Sequence, residues 1–170
     1  MFDTFLTFFS EIQKEGYKDP LGVAFLEKYG DVGMWLIPTG SGLFSIYKGY
    51  LLAGPALFCV GIIQVVVVNI LKKTFPKSRP RPFFFEKSSV EDNRSFPSSH
   101  TAGAFLGVGL CLGLFGLKAA SITTCALAVL VGLSRLLSKK HWPLDIISGG
   151  IIGMLSGLFC AAATKSFYLP

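Results

Sequence analysis

The chain has 170 residues, 51% of them hydrophobic and 14% aromatic, with a mean hydropathy of +0.57. Apolar residues in that proportion, gathered into long runs, exclude an ordinary soluble domain and leave no length for a second one. Sixteen Lys and Arg against ten Asp and Glu give a net charge of +6.

Residues 1–14 place Phe2, Phe5, Leu6, Phe9 and Ile12 at helical spacing, with Asp3, Thr7, Ser10 and Glu11 on other faces. The pattern predicts an amphipathic helix in the membrane interface, opening an interfacial region over residues 1–30. It lacks the basic start, apolar middle and cleavage site of a signal peptide, so a retained N-terminus is expected. About 20 apolar residues cross the hydrocarbon as a helix, and runs of that kind lie at about 31–47, 50–71, 101–117, 118–137 and 145–167. Pro38, Gly40 and Gly42 interrupt the first. Gly103, Gly107, Gly109 and Gly113 in the third run, and Gly149, Gly153, Gly157 and Ala161 in the fifth, predict close helix packing. Cys59, Cys111, Cys125 and Cys160 all fall inside apolar runs without paired spacing and read as small packing residues. The expected fold is all-α: one integral membrane bundle of about five transmembrane helices, with residues 72–100 as its long polar loop.

If these helices cross alternately, Lys72, His100, Arg135 and His141 emerge at one membrane surface. They belong to three polar segments: KKTFPKSRPRP at 72–82, FPSSHT at 96–101 and SRLLSKKHWPLD at 134–145. A phosphate monoester dianion repels nucleophiles, so its cleavage needs charge neutralisation, a nucleophile and an acid for the leaving oxygen. Lys72, Arg79 and Arg135 suit phosphate, Arg by a planar fork and Lys as a point charge. Ser98 and Ser99, with the amides opening a helix near Thr101, add donors for an anion. His141 is the expected nucleophile. Asp145, four residues on across Pro143 and in the first turn of a helix, is placed to hold one ring nitrogen as N–H. His100 is the expected general acid. A metal site built from His100, His141 and Asp145 is disfavoured by the surrounding cations, so neither metal nor cofactor is expected. Lys73, Lys139 and Lys140 read as headgroup anchors. Phe83, Phe84 and Phe85 read as a membrane-dipping lip against substrate acyl chains.

The spacings Lys72-x6-Arg79-Pro80, Pro97-Ser98-Ser99-His100 and Ser134-Arg135-x5-His141-x3-Asp145 resemble the three-part signature of the type 2 phosphatidic acid phosphatase superfamily, over residues 72 to 145. Many members carry Gly where this chain has Ser99. The resemblance implies a membrane lipid phosphatase working through a phosphohistidine that water then hydrolyses, with His141 as nucleophile and His100 as acid. Among bacterial members the compact chain leans toward lipid A 1-phosphatases. Phosphatidylglycerophosphate and undecaprenyl pyrophosphate phosphatases, and lipid phosphotransferases, are the alternatives. From a different class, an anion-binding transporter accounts for the cations but leaves the His141–Asp145 spacing idle. The expected partners are a lipid phosphate and the bilayer, with no nucleic acid and no obligate protein. Most Lys and Arg fall on the motif side, which by the positive-inside rule puts that face in the cytoplasm. The resemblance implies the periplasmic face of a bacterial inner membrane, and that orientation is the one expected.

Overall fold

The structure, a computed structural model, describes residues 21–80 and 93–168. The expected interfacial helix at 1–14 and the Phe83 to Phe85 lip lie outside the described residues. Within the described residues five helices follow in order: α1 Leu21–Tyr47, α2 Ala53–Thr74, α3 Ser99–Phe115, α4 Ala119–Leu137 and α5 Pro143–Ser166. Of these, α2, α4 and α5 are long and apolar enough to cross a membrane. With 17 residues, α3 rises about 25 Å at roughly 1.5 Å per residue. The all-α architecture agrees with the apolar runs, and four of the helices start and stop within a few residues of them. The exception is α1, which begins at Leu21, ten residues ahead of the run expected from 31. Its first turns carry Glu27, Lys28 and Asp31, so apolarity alone does not mark where the helix starts.

Apolar residues surround α3, which makes it the central helix: residues 101, 102, 104, 106–111 and 114 are all buried. It packs backbone to backbone with α5. A Cβ at Gly149 would collide with the Ser98 carbonyl, one at Gly153 with that of Ala102, and one at Gly157 with that of Leu106. Gly113 faces the Ala161 methyl in the same way. The small-residue stripe therefore performs the packing its spacing predicts.

On its other side α3 meets α1 at the proline. Pro38 has no N–H to give the Met34 carbonyl, and that carbonyl lies 3.0 Å from where a Cβ on Gly103 would sit. Gly107 lies against Pro38 Cα at 3.0 Å by the same measure. α2 is the outermost helix. It buries Ala53, Val60, Gln64 and Val68 and turns Phe58, Ile62, Ile63, Val65, Val66 and Ile70 outward. An apolar face of that extent requires hydrocarbon around it. The four cysteines are free. Alternation of the helices brings the start of α1, the end of α2, the start of α3, the end of α4 and the start of α5 to one end of the bundle.

Candidate active site

The chain between α4 and α5 is shaped by local hydrogen bonds. After α4, Lys139 adopts a left-handed conformation (φ 53°), and the Lys140 N–H returns to the Arg135 carbonyl at 3.1 Å. His141 then enters the bundle, 3% exposed. Trp142 is extended, Pro143 opens α5, and Asp145 in the first turn accepts the Trp142 N–H through Oδ2 at 2.9 Å. Spacing in the third motif is therefore one reversed turn followed by one helix start.

The loop carrying the first motif runs beside the segment that leads into the second. Lys77 N–H donates to the Asn93 carbonyl and Ser95 N–H to the Lys77 carbonyl, each at 2.9 Å. This bridge delivers Ser95 to His141. The Ser95 carbonyl lies 2.8 Å from His141 Nδ1, and a carbonyl only accepts, so Nδ1 carries the proton and Nε2 holds the lone pair. Asp145 Oδ2 stands 3.8 Å from Nδ1, beyond a hydrogen bond. The direct His141–Asp145 bond read from the spacing is thus replaced by a relay: the Ser95 hydroxyl donates to Asp145 Oδ2. Asp145 Oδ1 takes Lys77 Nζ at 2.7 Å. The carboxylate is turned toward capping its own helix, and Ser95 fills the gap this leaves. Burial chiefly, with the Lys72 and Arg79 cations adding and Asp145 opposing, lowers the His141 pKa below the usual histidine value. The imidazole is neutral at pH 7.

Around this centre stand the cations of the first and third motifs. Lys72 Nζ donates to the Arg94 carbonyl at 2.9 Å, and Arg79 Nη1 reaches the Lys140 carbonyl at 3.5 Å. Arg135 is fully buried. Its Nε donates to Ser134 Oγ at 3.2 Å and its Nη1 to Asp31 Oδ1 at 2.8 Å. The same Asp31 oxygen lies 3.1 Å from His100 Nε2, while His100 Nδ1 is buried with no partner among the described residues. Helix α1 also supplies the floor under Arg135. Any Cβ on Gly30 would collide with Ser134 Oγ and the guanidinium.

Ser98 is committed elsewhere. Its N–H donates to the Asp145 main-chain carbonyl at 2.9 Å, tying α3 to α5, and its buried Oγ accepts from Thr101 N at 3.4 Å and Thr101 Oγ1 at 3.0 Å. Through that oxygen it caps the helix. Ser99 is half-buried and lines a cavity of about 550 Å³ between α1 and α2, with Met34, Trp35, Pro38 and Gly103. Four participants escaped the sequence reading: Gly30, Asp31, Lys77 and Ser95. Asp31 alone carried a signal, as an acidic residue at the edge of an apolar run. Among the described residues no group of three His, Cys, Asp or Glu side chains is placed to hold a metal ion.

The sequence matches the family described as the PAP2 superfamily over residues 52–168. It is similar to the bacitracin transport permease protein BcrC of Bacillus licheniformis, 42% identical over 144 residues, which are 81% of this chain and 68% of that one. The undecaprenyl-diphosphatase of Sulfolobus acidocaldarius is 31% identical over 134 residues, 77% of this chain and 64% of that protein. A lipid A 1-phosphatase of Porphyromonas gingivalis is 35% identical over 97 residues, 54% of this chain and 19% of the longer protein. In three dimensions the chain resembles the crystal structure of Aquifex aeolicus LpxE, with a TM-score of 0.68, 25% identity, and coverage of 92% of this chain and 94% of that one.

Proposed function

The chain belongs to the PAP2 superfamily of membrane lipid phosphatases, and on that premise we propose that it cleaves the terminal phosphate of a membrane lipid through a phosphohistidine at His141. The observation that carries this reading is the Ser95 carbonyl on His141 Nδ1, which leaves the Nε2 lone pair for phosphorus. In the first step Nε2 forms a bond to phosphorus, the bond to the lipid oxygen breaks, and His100 gives that oxygen its proton. In the second, water attacks the phosphohistidine, His100 takes the water's proton, and inorganic phosphate leaves. Lys72, Arg79 and Arg135 balance the charge on the phosphoryl oxygens throughout. Of the two serines, Ser99 keeps a place beside the phosphate and Ser98 holds the helix start. Asp145 acts on His141 through Ser95.

As substrate we propose lipid A carrying its 1-phosphate. The similarity to a lipid A 1-phosphatase and the end-to-end likeness to Aquifex aeolicus LpxE support it. A second reading, undecaprenyl diphosphate, is favoured by the Sulfolobus relative, whose alignment covers more of this chain. The apolar cavity beside Ser99 gives either lipid's hydrocarbon a place next to the phosphate. We place the site on the periplasmic face, with Phe83 to Phe85 meeting the acyl chains. A transporter reading, prompted by the name of the Bacillus relative, leaves the Ser95, His141 and Asp145 relay without use.

Purified protein in detergent, given lipid A, undecaprenyl diphosphate, phosphatidylglycerophosphate and phosphatidic acid at equal surface concentration, tests the proposal. Release of inorganic phosphate is expected, fastest from lipid A. Faster release from undecaprenyl diphosphate selects the second reading, and no release from any of them rejects the enzyme.

A further inference from the structure

One carboxylate oxygen occupies the centre of the cation cluster. Asp31 Oδ1 takes Arg135 Nη1 at 2.8 Å and His100 Nε2 at 3.1 Å, so it sits where an oxygen shared by a phosphate-gripping arginine and a leaving-group acid belongs. His100 Nδ1 is buried, which leaves Nε2 as the ring nitrogen with access to a substrate. Nε2 is the atom that Asp31 holds. Arg135 Nη1 and His100 Nε2 therefore serve substrate only once Asp31 has let go. The carboxylate has room to do so, because its side chain is 48% exposed and it stands on α1, outside residues 52–168 that the family profile matches.

We propose that Asp31 is a displaceable internal anion that holds Arg135 and His100 in the empty site, yields to the phosphate of the incoming lipid, and returns to them as inorganic phosphate leaves. The inference rests on the reading of Arg135 as a phosphate ligand. Asp31 supplies the buried guanidinium with a carboxylate between turnovers. It is tethered to the same helix that floors Arg135, so it competes at a high effective concentration. A lipid phosphate wins because its several anionic oxygens reach Lys72 and Arg79 as well as the pair that Asp31 holds. Once the phosphate is free of the lipid and the hydrocarbon no longer contributes to binding, the balance tips back toward Asp31. The carboxylate thus acts on product release, as a positioning residue that never touches the reacting phosphorus.

Competitive inhibition by inorganic phosphate, measured on purified protein in detergent with a phosphomonoester lipid substrate, reads the competition directly. An internal ligand that fills the site nine times in ten weakens an external one about tenfold. Asp31→Asn, nearly the same shape without the charge, is therefore expected to lower the phosphate inhibition constant about tenfold. Asp31→Ala shifts it the same way, and Asp31→Glu stays near wild type. Arg135→Ala is the companion arm and is expected to raise the constant. Raised values for Arg135→Ala together with unchanged or raised values for Asp31→Asn and Asp31→Ala overturn the role of Asp31 and leave the phosphate site standing. An unchanged constant in Arg135→Ala overturns both. A residue that merely braces the fold weakens phosphate binding when it is lost, which is the opposite sign.

Discussion

Gly30→Ala is a single added methyl, and its effect can be worked from what it would meet. The new Cβ collides with Ser134 Oγ and Arg135 Nη2, and lies 2.8 Å from Arg135 Nε. Arg135 is fully buried. The guanidinium must shift, and the bonds at risk are Nε to Ser134 Oγ and Nη1 to Asp31. A hydrogen bond to a charged group is worth about 1.5–3 kcal/mol. If the shift costs one such bond to the substrate phosphate, kcat/KM falls roughly 10- to 150-fold. The assay is steady-state hydrolysis of a phosphomonoester lipid in detergent, with a melting curve to confirm the fold. Gly40→Ala is the control on the same helix, since a Cβ there meets nothing within 4 Å. It should leave kcat/KM within about twofold and add a few tenths to about 1 kcal/mol of helix stability. Gly30→Ala at wild-type kcat/KM would show that α1 does not support Arg135.

Two further outcomes follow from the relay around His141. Asp145→Asn leaves the Ser95 carbonyl on Nδ1 but sets an amide against Lys77 in place of a carboxylate, so turnover should fall about 10- to 100-fold, in proportion to the charge-assisted bond lost. Ser95→Ala should cost less, because the carbonyl remains, and an Asp145→Asn enzyme as inactive as His141→Ala would restore a direct His141–Asp145 pair. The lowered pKa of His141 has a definite sign: the reactive neutral imidazole persists to more acidic pH than in an ordinary histidine. Modification of His141 by an acylating reagent, followed by peptide mass spectrometry, should therefore titrate with a midpoint below about 6.5, and a midpoint above that value contradicts the burial argument.

The bundle and the meeting of the three motifs were legible in the sequence because both rest on local pattern. Apolar runs mark helices, and alternate crossings put Lys72, Arg135 and His141 at one end whatever the details of packing. What could not be read comes from contacts between segments far apart in the chain. Asp31 meets Arg135 across 104 positions, and nothing in the polar first turns of α1 says which neighbour they face. Gly30 looks like a helix-weakening residue until the guanidinium is seen against it. The placing of Asp145 in the first turn of a helix, four residues after His141 and across Pro143, suggested a direct bond. The helix start is as expected, but the carboxylate at the third helical position turns back to cap Trp142. Nor does the second motif announce that α3 and α5 approach so closely through Gly149 that the Ser98 N–H goes to the Asp145 carbonyl. Lys77 reached the relay through a bridge to Asn93 and Ser95, a pairing that an irregular, proline-containing segment does not announce.

Everything proposed for the chemistry turns on which atom receives the phosphoryl group. Rapid quenching of the protein with lipid substrate labelled in its terminal phosphate, followed by peptide mapping under alkaline conditions that preserve phosphohistidine, reads that atom directly. The expected result is one labelled peptide with the phosphate on His141 Nε2, absent in His141→Ala and accumulating in His100→Ala if water attack is slowed more than phosphoryl transfer. Label on any other residue, or label of undiminished yield in His141→Ala, contradicts the account.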